Sequence, residues 1–368
     1  MQSGQATDPS VHDAAQILLD EFSSLESITP QRALSRYLQS REGEITDQTQ
    51  SEYKRKLELF IDYCEKIGLE NLNELDGRNI DGFVNWRRTR STGECLSTKT
   101  MRDDLYLLRS FLQYLVKIDA VPTGTAQTVD IPSLDSGEGI RDVELGLDHL
   151  NDILKYLSTY KYASREHVLF AIVTECGRRL GGVHSLDVDD VFLDCDEPYL
   201  HFVHRDDGET RLKNGENGEE EVNISSELAE LLDDYISNQR IEISTNDRTP
   251  LVTTSHGRIA KATIRSYFYQ WTRPCKIGND CPEGRSEDDC DAACSKDNAP
   301  QCPASEAPHA ARHGYLTEML RQGVPPEVIS DRCDITEEVL REVYDERSTE
   351  EKRKNRRSLL EERGVIDR

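Results

Sequence analysis

The chain has 368 residues, with 70 Asp and Glu against 45 Lys and Arg, for a formal net charge of −25. This length predicts two or three domains, and a hydrophobic content of 36% is sufficient for folded cores. No apolar run approaches the roughly 18–20 residues that cross a bilayer, and no basic-then-apolar leader opens the chain. The sequence therefore predicts a protein that contacts no membrane and stays in the cytoplasm.

The positive charge is mostly guanidinium, because 32 of the 45 basic residues are Arg, and the acidic residues are spread over the whole chain. Uniform acidity with few lysines is typical of proteins adapted to multimolar salt, where the screening length falls to about 3 Å or less and self-repulsion weakens. We therefore interpret the composition as halophilic. In such a solvent the net charge does not exclude nucleic-acid binding, because the local placement of Arg counts for more than the sum.

In chain order, residues 1–27 form a polar extension, and residues 28–120 follow the apolar period of helices throughout. The clearest segment is 47–67, whose apolar residues recur at intervals of three and four, as on one face of a helix. The predicted helices are one opened by Pro30, residues 47–67, a short one around Phe83 and one capped by Ser97 or Thr98. Four helices in this length predict a small bundle.

Residues 121–142 lose the helical period and are rich in Pro, Gly, Ser and Thr, which predicts a linker to a second domain at 143–368. The helices predicted there are 147–158, 164–176, 226–240, 261–272, 308–321, 325–332 and 336–344, with a charged tail helix at 348–366. Three alternating runs predict strands: Leu200–Val203, Thr210–Lys213 and Glu221–Ile224. Two Asn-Gly pairs between the last two runs indicate a β-hairpin.

Three short stretches of the second domain hold side chains that suit chemistry on a phosphate ester. The candidates are Arg178 and Arg179 in the first, His309, Arg312 and His313 in the second and Tyr344 in the third, with Lys213 just before an Asn-Gly pair. Guanidinium groups can hold two oxygens of a phosphate at once, and a phenol can form an ester with the phosphorus.

With these residues the sequence resembles the tyrosine recombinases of the phage-integrase type, with a composition of the haloarchaeal kind. In that family a Gly precedes the first catalytic Arg by two residues, and a Leu and an Asp follow it by seven and eleven. Gly177, Arg179, Leu186 and Asp190 meet those offsets, so Arg179 and not Arg178 is the matching arginine. The later motifs match in the same order: a His-x-x-Arg-His box, a lysine before the hairpin turn and a tyrosine near the end.

The resemblance implies a mainly α fold with a small antiparallel β-element, in which an N-terminal helical core-binding bundle precedes a C-terminal catalytic domain. It implies site-specific recombination or integration of double-stranded DNA through a 3′-phosphotyrosyl intermediate, by a homo-oligomer, a tetramer, on the DNA. The implied catalytic residues are Arg179, Lys213, His309, Arg312 and Tyr344. The implied chemistry needs no cofactor.

The residue types fit that reaction. A phenol with its ordinary pKa near 10 is a weak nucleophile, so a base and a positive field must assist Tyr344. Arg179 and Arg312 would hold the non-bridging oxygens and stabilise the charge of the pentacoordinate state. Lys213 would protonate the departing 5′-oxygen, and His309 would handle the proton of the tyrosine.

Two positions depart from the family pattern. The family usually has a His or Trp nine residues before the tyrosine, within Leu-Gly-His, and here that register gives Cys333, Asp334 and Ile335. Gly182 stands where many relatives have an acidic residue that supports the first arginine. Two other functions therefore stay open: a catalytically weak DNA-binding protein on the same scaffold, and a zinc-dependent interaction protein in which the Arg, His and Tyr pattern is coincidental.

Basic residues near aromatic side chains predict contacts to DNA phosphates on both domains. They are Arg87, Arg88, Lys99 and Arg102 in the bundle and Lys261 and Arg265 in the second domain. The alternative for each of them is a solvated surface residue.

Ten cysteines are present, and five of them fall within an insertion at 274–303 between two predicted helices. Four thiolates that converge from such a loop can bind one tetrahedral Zn²⁺, and the metal would supply the order that the loop lacks. The predicted ligands are Cys275, Cys281, Cys290 and Cys302, with Cys294 left out because it crowds Cys290. The spacing matches no standard zinc ribbon, and free thiols or disulfides are the alternatives.

Overall fold

The computed structural model describes residues 25–89, 95–134, 145–206, 208–244, 247–345 and 347–366. Most of the predicted extension 1–27, and the end of the predicted linker, lie outside these ranges. The chain divides into two compact units, Met1–Arg141 and Asp142–Arg368. Within the described ranges, no helix has the length and apolar content that crossing a membrane requires.

The described part of the first unit is a bundle of four helices, which confirms the prediction for residues 28–120. They are α1 (Pro30–Ser40), α2 (Asp47–Ile67), α3 (Gly77–Arg87) and α4 (Thr98–Lys117). A side chain caps each N-terminus by accepting a hydrogen bond from a backbone N–H of the first turn; the caps are Thr29, Thr46, Asp76 and Ser97. Aromatic rings fill the centre, where Phe60 meets Phe83 edge-on with 5.3 Å between centroids.

The second unit is also mainly helical. Its helices are α5 (Leu147–Tyr160), α6 (Arg165–Cys176), α7 (Leu180–Ser185), α8 (Ser226–Asp234), α9 (Lys261–Trp271), α10 (Asp291–Cys294), α11 (Pro308–Arg321), α12 (Pro326–Cys333), α13 (Glu337–Val339) and α14 (Thr349–Glu362). Two of them run on into π-helical turns, Tyr235–Gln239 after α8 and Leu340–Tyr344 after α13.

Helix α6 lies at the centre of this unit, because its apolar residues are buried on nearly every side. Helices α5, α8, α9 and α11 pack around it. Phe170 of α6 stacks on Phe268 of α9 with 4.0 Å between ring centroids. A helix buried in this way holds its C-terminal end in a fixed position, and the arginine pair follows that end directly.

The β-structure is small and antiparallel. A three-stranded sheet has the order β1 (Val191–Phe192), β2 (Tyr199–Phe202) and β3 (Glu220–Asn223), and a separate pair joins β4 (Thr253–Thr254) to β5 (Gly257–Arg258). Leu200 pairs with Val222, so the apolar residues of β2 and β3 share one face of the sheet.

The predicted strand at Thr210–Lys213 is wrong. The described residues of this stretch form bends and turns, and β2 pairs instead with β3 across a long connection. The two Asn-Gly pairs form a 3₁₀ turn, Gly215–Gly218, that leads into β3. Alternation over four residues was too weak a signal. Thr210 and Leu212 are buried, but Thr210 accepts a hydrogen bond from Arg248 at 2.7 Å and the N–H of Leu212 donates to the His204 ring at 3.1 Å.

Candidate active site

The arginine pair owes its position to Gly177. This glycine ends α6 with a left-handed φ of 60°, and a Cβ at this position would collide with the ring of Tyr315. Only glycine takes this conformation at no steric cost while leaving space for the ring. The chain therefore turns sharply after α6 and gives the next two arginines different surroundings.

Arg178 points into the protein and serves the structure. It is 3% exposed, donates to the carbonyl of Gly218 at 3.1 Å and lies 4.4 Å from the centroid of the Phe202 ring. Burial lowers its pKa from the ordinary value. These contacts fix the turn before β3 against α6 and leave the second arginine of the pair to face the site.

Arg179 is half-buried and stands at the N-terminus of α7. Its Nη1 donates to the carboxylate of Asp334 at 2.7 Å and also to the main-chain oxygen of the same residue. The side chain of Asp334 is 8% exposed, so this is an ion pair with little solvent around the acid.

Arg312 is the most enclosed basic group of the site, at 2% exposure in the middle of α11. Its Nη1 donates to the carbonyl of Gly177 at 2.7 Å and to that of Cys333 at 2.6 Å. Burial, together with the charge of Arg179, lowers the pKa of Arg312 to about 10. Its Nε and Nη2 are buried and have no hydrogen-bond acceptor among the described residues.

His309 and Lys213 lie at the edge of the site. His309 lies in the first turn of α11, with part of its surface open to solvent. The protein around the rest of the ring desolvates it and lowers its pKa below the ordinary 6.5. The positive charges of Arg312, Arg179 and Lys213 lower it further, which places all three near the imidazole. Lys213 itself is exposed, in the turn before the 3₁₀ segment.

Tyr344 ends the π-helical turn and is 4% exposed. Its ring lies against the imidazole of His313, the residue after Arg312, with 4.7 Å between ring centroids. The structure therefore brings the two arginines and the tyrosine together from three separate segments. The ring beside the phenol belongs to His313, whereas the sequence had pointed to His309 as the proton acceptor.

Asp334 was not identified from the sequence as a site residue. No local pattern marks it, because its partner Arg179 is 155 residues away. Ile335, the residue in the place of the family's His or Trp, is 4% exposed and packs with Tyr344 in an apolar cluster. Gly182 packs against the ring of Phe202, where a Cβ would lie at 3.4 Å.

A network of ion pairs that the sequence did not reveal lies directly after α7. The carboxylate of Asp187 is buried and forms ion pairs with Arg248 at 2.6 Å and with Arg258 at 2.5 Å. Arg205 pairs with Asp190 at 2.5 Å. The acids follow the arginine motif directly, but their partners come from later segments, so only the three-dimensional fold shows the network.

The residues predicted to contact DNA differ in their surroundings. Arg88, Lys99 and Arg265 are exposed, and Arg102 lies over the Tyr106 ring, with 5.4 Å between its Cζ and the ring centroid. Lys261 donates to the carbonyl of Glu209 at 3.0 Å. Arg87 is mostly buried and pairs with Asp104 at 2.7 Å. Its guanidinium is thus held inside the bundle, and a role in DNA contact stays a prediction for all six residues.

The predicted zinc ligands line one small cavity of about 20 Å³ in the insertion. The four are Cys275, Cys281, Cys290 and Cys302, and the exposed Cys294 is not among the lining residues. Cys275 is close enough to Cys281 and Cys302 for their charges to affect its pKa, which burial raises. In the described parts of the chain no three His, Cys, Asp or Glu side chains are arranged as a bound metal ion would require.

Comparison with known families covers most of the chain. Residues 32–118 match the model described as the phage integrase N-terminal SAM-like domain, and residues 144–337 match that of the phage integrase family. Tyr344 lies seven residues beyond the second match.

Individual proteins similar to this chain are also tyrosine recombinases and integrases. Tyrosine recombinase XerC of Yersinia pestis is 28% identical over 176 residues, 48% of this chain and 55% of that protein. XerC of Vibrio cholerae serotype O1 is 20% identical over 285 residues, 77% of each. The chain thus spans from about half to three quarters of these proteins. The Tn1549 transposon integrase, solved with a circular intermediate DNA, shares the fold with a TM-score of 0.64 at 15% identity, over 90% of this chain and 100% of that one.

Proposed function

The chain belongs to the phage integrase family of tyrosine recombinases, and on that basis we propose that it is a site-specific recombinase that cleaves and rejoins double-stranded DNA through a 3′-phosphotyrosyl intermediate. One observation carries the proposal. Arg179, Arg312 and Tyr344 come from three distant segments and meet at one place: Arg179 and Arg312 donate to the adjacent residues Asp334 and Cys333, and the ring of Tyr344 lies on that of His313, the residue after Arg312. A coincidental pattern in the sequence would have no reason to converge in this way.

The proposed cleavage exchanges one phosphoester for another. The phenolic oxygen of Tyr344 attacks the phosphorus, the bond from phosphorus to the 5′-oxygen breaks, and the 3′-phosphate remains on the protein. Arg179 and Arg312 hold the non-bridging oxygens in the pentacoordinate state. His309 accepts the proton of the phenol, and Lys213 gives a proton to the departing 5′-oxygen. Rejoining is the reverse sequence, so the bond energy is conserved.

A nicked duplex tests the proposal. When the strand beyond the cleavage point is short, it diffuses away after cleavage and leaves the protein attached to the DNA. We expect a covalent species that survives denaturation, formed in multimolar KCl without added divalent metal. A catalytically weak DNA-binding protein would bind the duplex and form no such species, and a zinc-dependent interaction protein would do neither.

We propose that the working assembly is a homo-oligomer, a tetramer, on double-stranded DNA in a salt-rich cytoplasm. The acidic composition supports the salt-rich solvent. Helix α14 lies on its own chain in this structure, where Asn355 donates to the carbonyls of Leu320 and Arg321 at 3.2 and 3.1 Å. The mass of the protein on a duplex that carries two sites would measure the number of copies.

The lowered pKa of His309 predicts the pH dependence of cleavage. A base must be neutral to accept a proton, and a pKa below 6.5 keeps His309 neutral through the physiological range. Adduct formation should therefore be constant above pH 6.5 and decline only at more acidic pH. Rates measured from pH 5 to 8 check this, and His309→Gln should lower the rate and remove the decline. A decline that persists in His309→Gln and disappears in His313→Gln would assign the base to His313.

We further propose that the insertion binds one structural Zn²⁺ through Cys275, Cys281, Cys290 and Cys302. Support comes from the single cavity that these four side chains line, and from the separate, exposed position of Cys294. Binding needs thiolates, and the charge of the cation would offset the burial that now favours the protonated thiol of Cys275. In a tetrahedral site each sulfur would lie about 2.3 Å from the ion, so the side chains would have to move from the arrangement described above.

We expect one equivalent of zinc in protein purified under reducing conditions. Cys281→Ser and Cys290→Ser should each lose most of it, because a closed tetrahedral site depends on every ligand. Cys294→Ser is the matched control and should keep the full equivalent. Elemental analysis of the four proteins decides the matter: a parent without zinc, or equal zinc in all variants, would remove the site.

A further inference from the structure

The turn after α12 places a carboxylate among the arginines of the site. Asp334 follows the last residue of this helix with φ 54° and ψ 62°, in the left-handed region. Its carboxylate accepts from Arg179 at 2.7 Å and from the side-chain amide of Asn214 at 2.6 Å. The preceding residue, Cys333, offers its carbonyl to Arg312. One short segment thus binds both arginines of the proposed reaction.

The carboxylate lies in a field that is positive on several sides. The carboxylate pairs directly with Arg179, and its charge also acts on Arg178 and Arg312. The backbone of Gly218 lies beside the carboxylate, and a Cβ on Gly218 would be 3.1 Å from the carboxyl group of Asp334. The arginine and amide groups that donate to this carboxylate are the same kinds of donor that bind the oxygens of a phosphodiester.

The backbone at Asp334 adopts a left-handed conformation that carries a small cost for aspartate or asparagine, less than for most other non-glycine residues. Non-glycine residues adopt positive φ uncommonly, and glycine would adopt it freely. A strained residue that lies in a site and makes charged contacts is a candidate for a functional role. In the part of the chain that the structure describes, the carboxylate of Asp334 accepts hydrogen bonds from Arg179 and Asn214, so a role of its charge concerns the occupancy of Arg179.

We infer that Asp334 is an internal anion that occupies Arg179 in the free protein and that the scissile phosphate must displace. The inference rests on the proposed function, since it assigns Arg179 to the phosphate. Before cleavage, the Nη1 of Arg179 exchanges its bond to the Asp334 carboxylate for a bond to a non-bridging oxygen. While the carboxylate holds Arg179, this arginine is not available to a phosphate. The apparent affinity of the site for phosphate is therefore reduced in proportion to the fraction of time that Arg179 is free.

Two substitutions separate this role from simple support of the arginine. Asp334→Asn keeps the shape and tolerates the left-handed conformation, but it removes the charge. Asp334→Gly removes both the side chain and the strain. Asp331→Asn, on the exposed side of the same helix, changes the net charge equally and serves as the matched control.

Binding of inorganic phosphate to the full chain, measured by titration calorimetry at one fixed salt concentration, gives the first readout. If the carboxylate holds Arg179 about nine-tenths of the time, both Asp334 variants should bind phosphate about tenfold more tightly than the parent. Asp331→Asn should match the parent within about twofold, the change expected of an exposed charge. Unchanged or weaker phosphate binding in both Asp334 variants would overturn the inference.

Adduct formation on the nicked duplex at subsaturating DNA gives the second readout, and it should rise in the same two variants. A fall in both, with the parent's thermal stability retained, would mean that Asp334 positions Arg179 for catalysis, and the inference would be wrong. If even the parent forms no adduct, the proposed function fails. Phosphate binding still tests Asp334 in that case, because it needs no chemistry.

Discussion

Tyr344→Phe is expected to bind duplex DNA as the parent does and to form no covalent protein–DNA species. The substitution removes a single phenolic oxygen, the atom that would become the ester oxygen. The ring packs against His313 and within an apolar cluster, and phenylalanine keeps both contacts. The fold and the arginines should therefore be preserved, and the loss should be confined to the chemical step. Denaturing gels of the nicked-duplex reaction and a binding assay on intact duplex check the two halves of the prediction.

Tyr235→Phe is the matched control. Tyr235 is also buried, belongs to the other π-helical turn and lies in a different apolar cluster from Tyr344. It should form the adduct at the parental rate. An adduct that persists in Tyr344→Phe would transfer the nucleophile to another residue, and equal loss in both variants would show that the effect arises from folding.

The local elements were predictable because their signals are local. The helices follow from an apolar period and from caps such as Ser97, and both features are encoded within a few residues. The family could also be recognised from the order of the motifs, since Gly177, Arg179 and Arg312 stand at characteristic spacings. The left-handed turn at Gly177 then explains that spacing physically, because the turn separates the buried arginine from the one that faces the site.

The pairings inside the site were not predictable. Arg179 meets Asp334 across 155 residues, and Arg312 meets Gly177 across 135. No periodicity or motif encodes contacts between segments so far apart. The failed strand at Thr210–Lys213 has the same origin, because strand pairing depends on a partner elsewhere in the chain. The sequence predicts which groups react, but only the fold shows which of them already have partners.

The second large effect is expected at the two arginines, and the structure predicts that they will differ. Arg179→Ala should lower the rate of adduct formation by about 10²–10³-fold, the usual cost of one lost donor to a developing anion. Its stability should fall less than that of Arg312→Ala, since the side chain is half-buried and its partner Asp334 can still accept from Asn214. Arg353→Ala, on the exposed face of α14, removes the same charge and should keep the parental rate.

Arg312→Ala should lose activity at least as strongly and lose stability too. Its guanidinium holds the carbonyls of Gly177 and Cys333, and both would be left buried without a donor. Each such group costs about 1–3 kcal/mol, so the melting temperature should fall by several degrees. Arg312→Lys keeps a charge but cannot serve two carbonyls and a phosphate at once, so it should recover stability before it recovers activity. Rates and melting curves measured on the same preparations separate the two roles. A parental rate in Arg179→Ala and Arg312→Lys together would leave both arginines with a structural role alone.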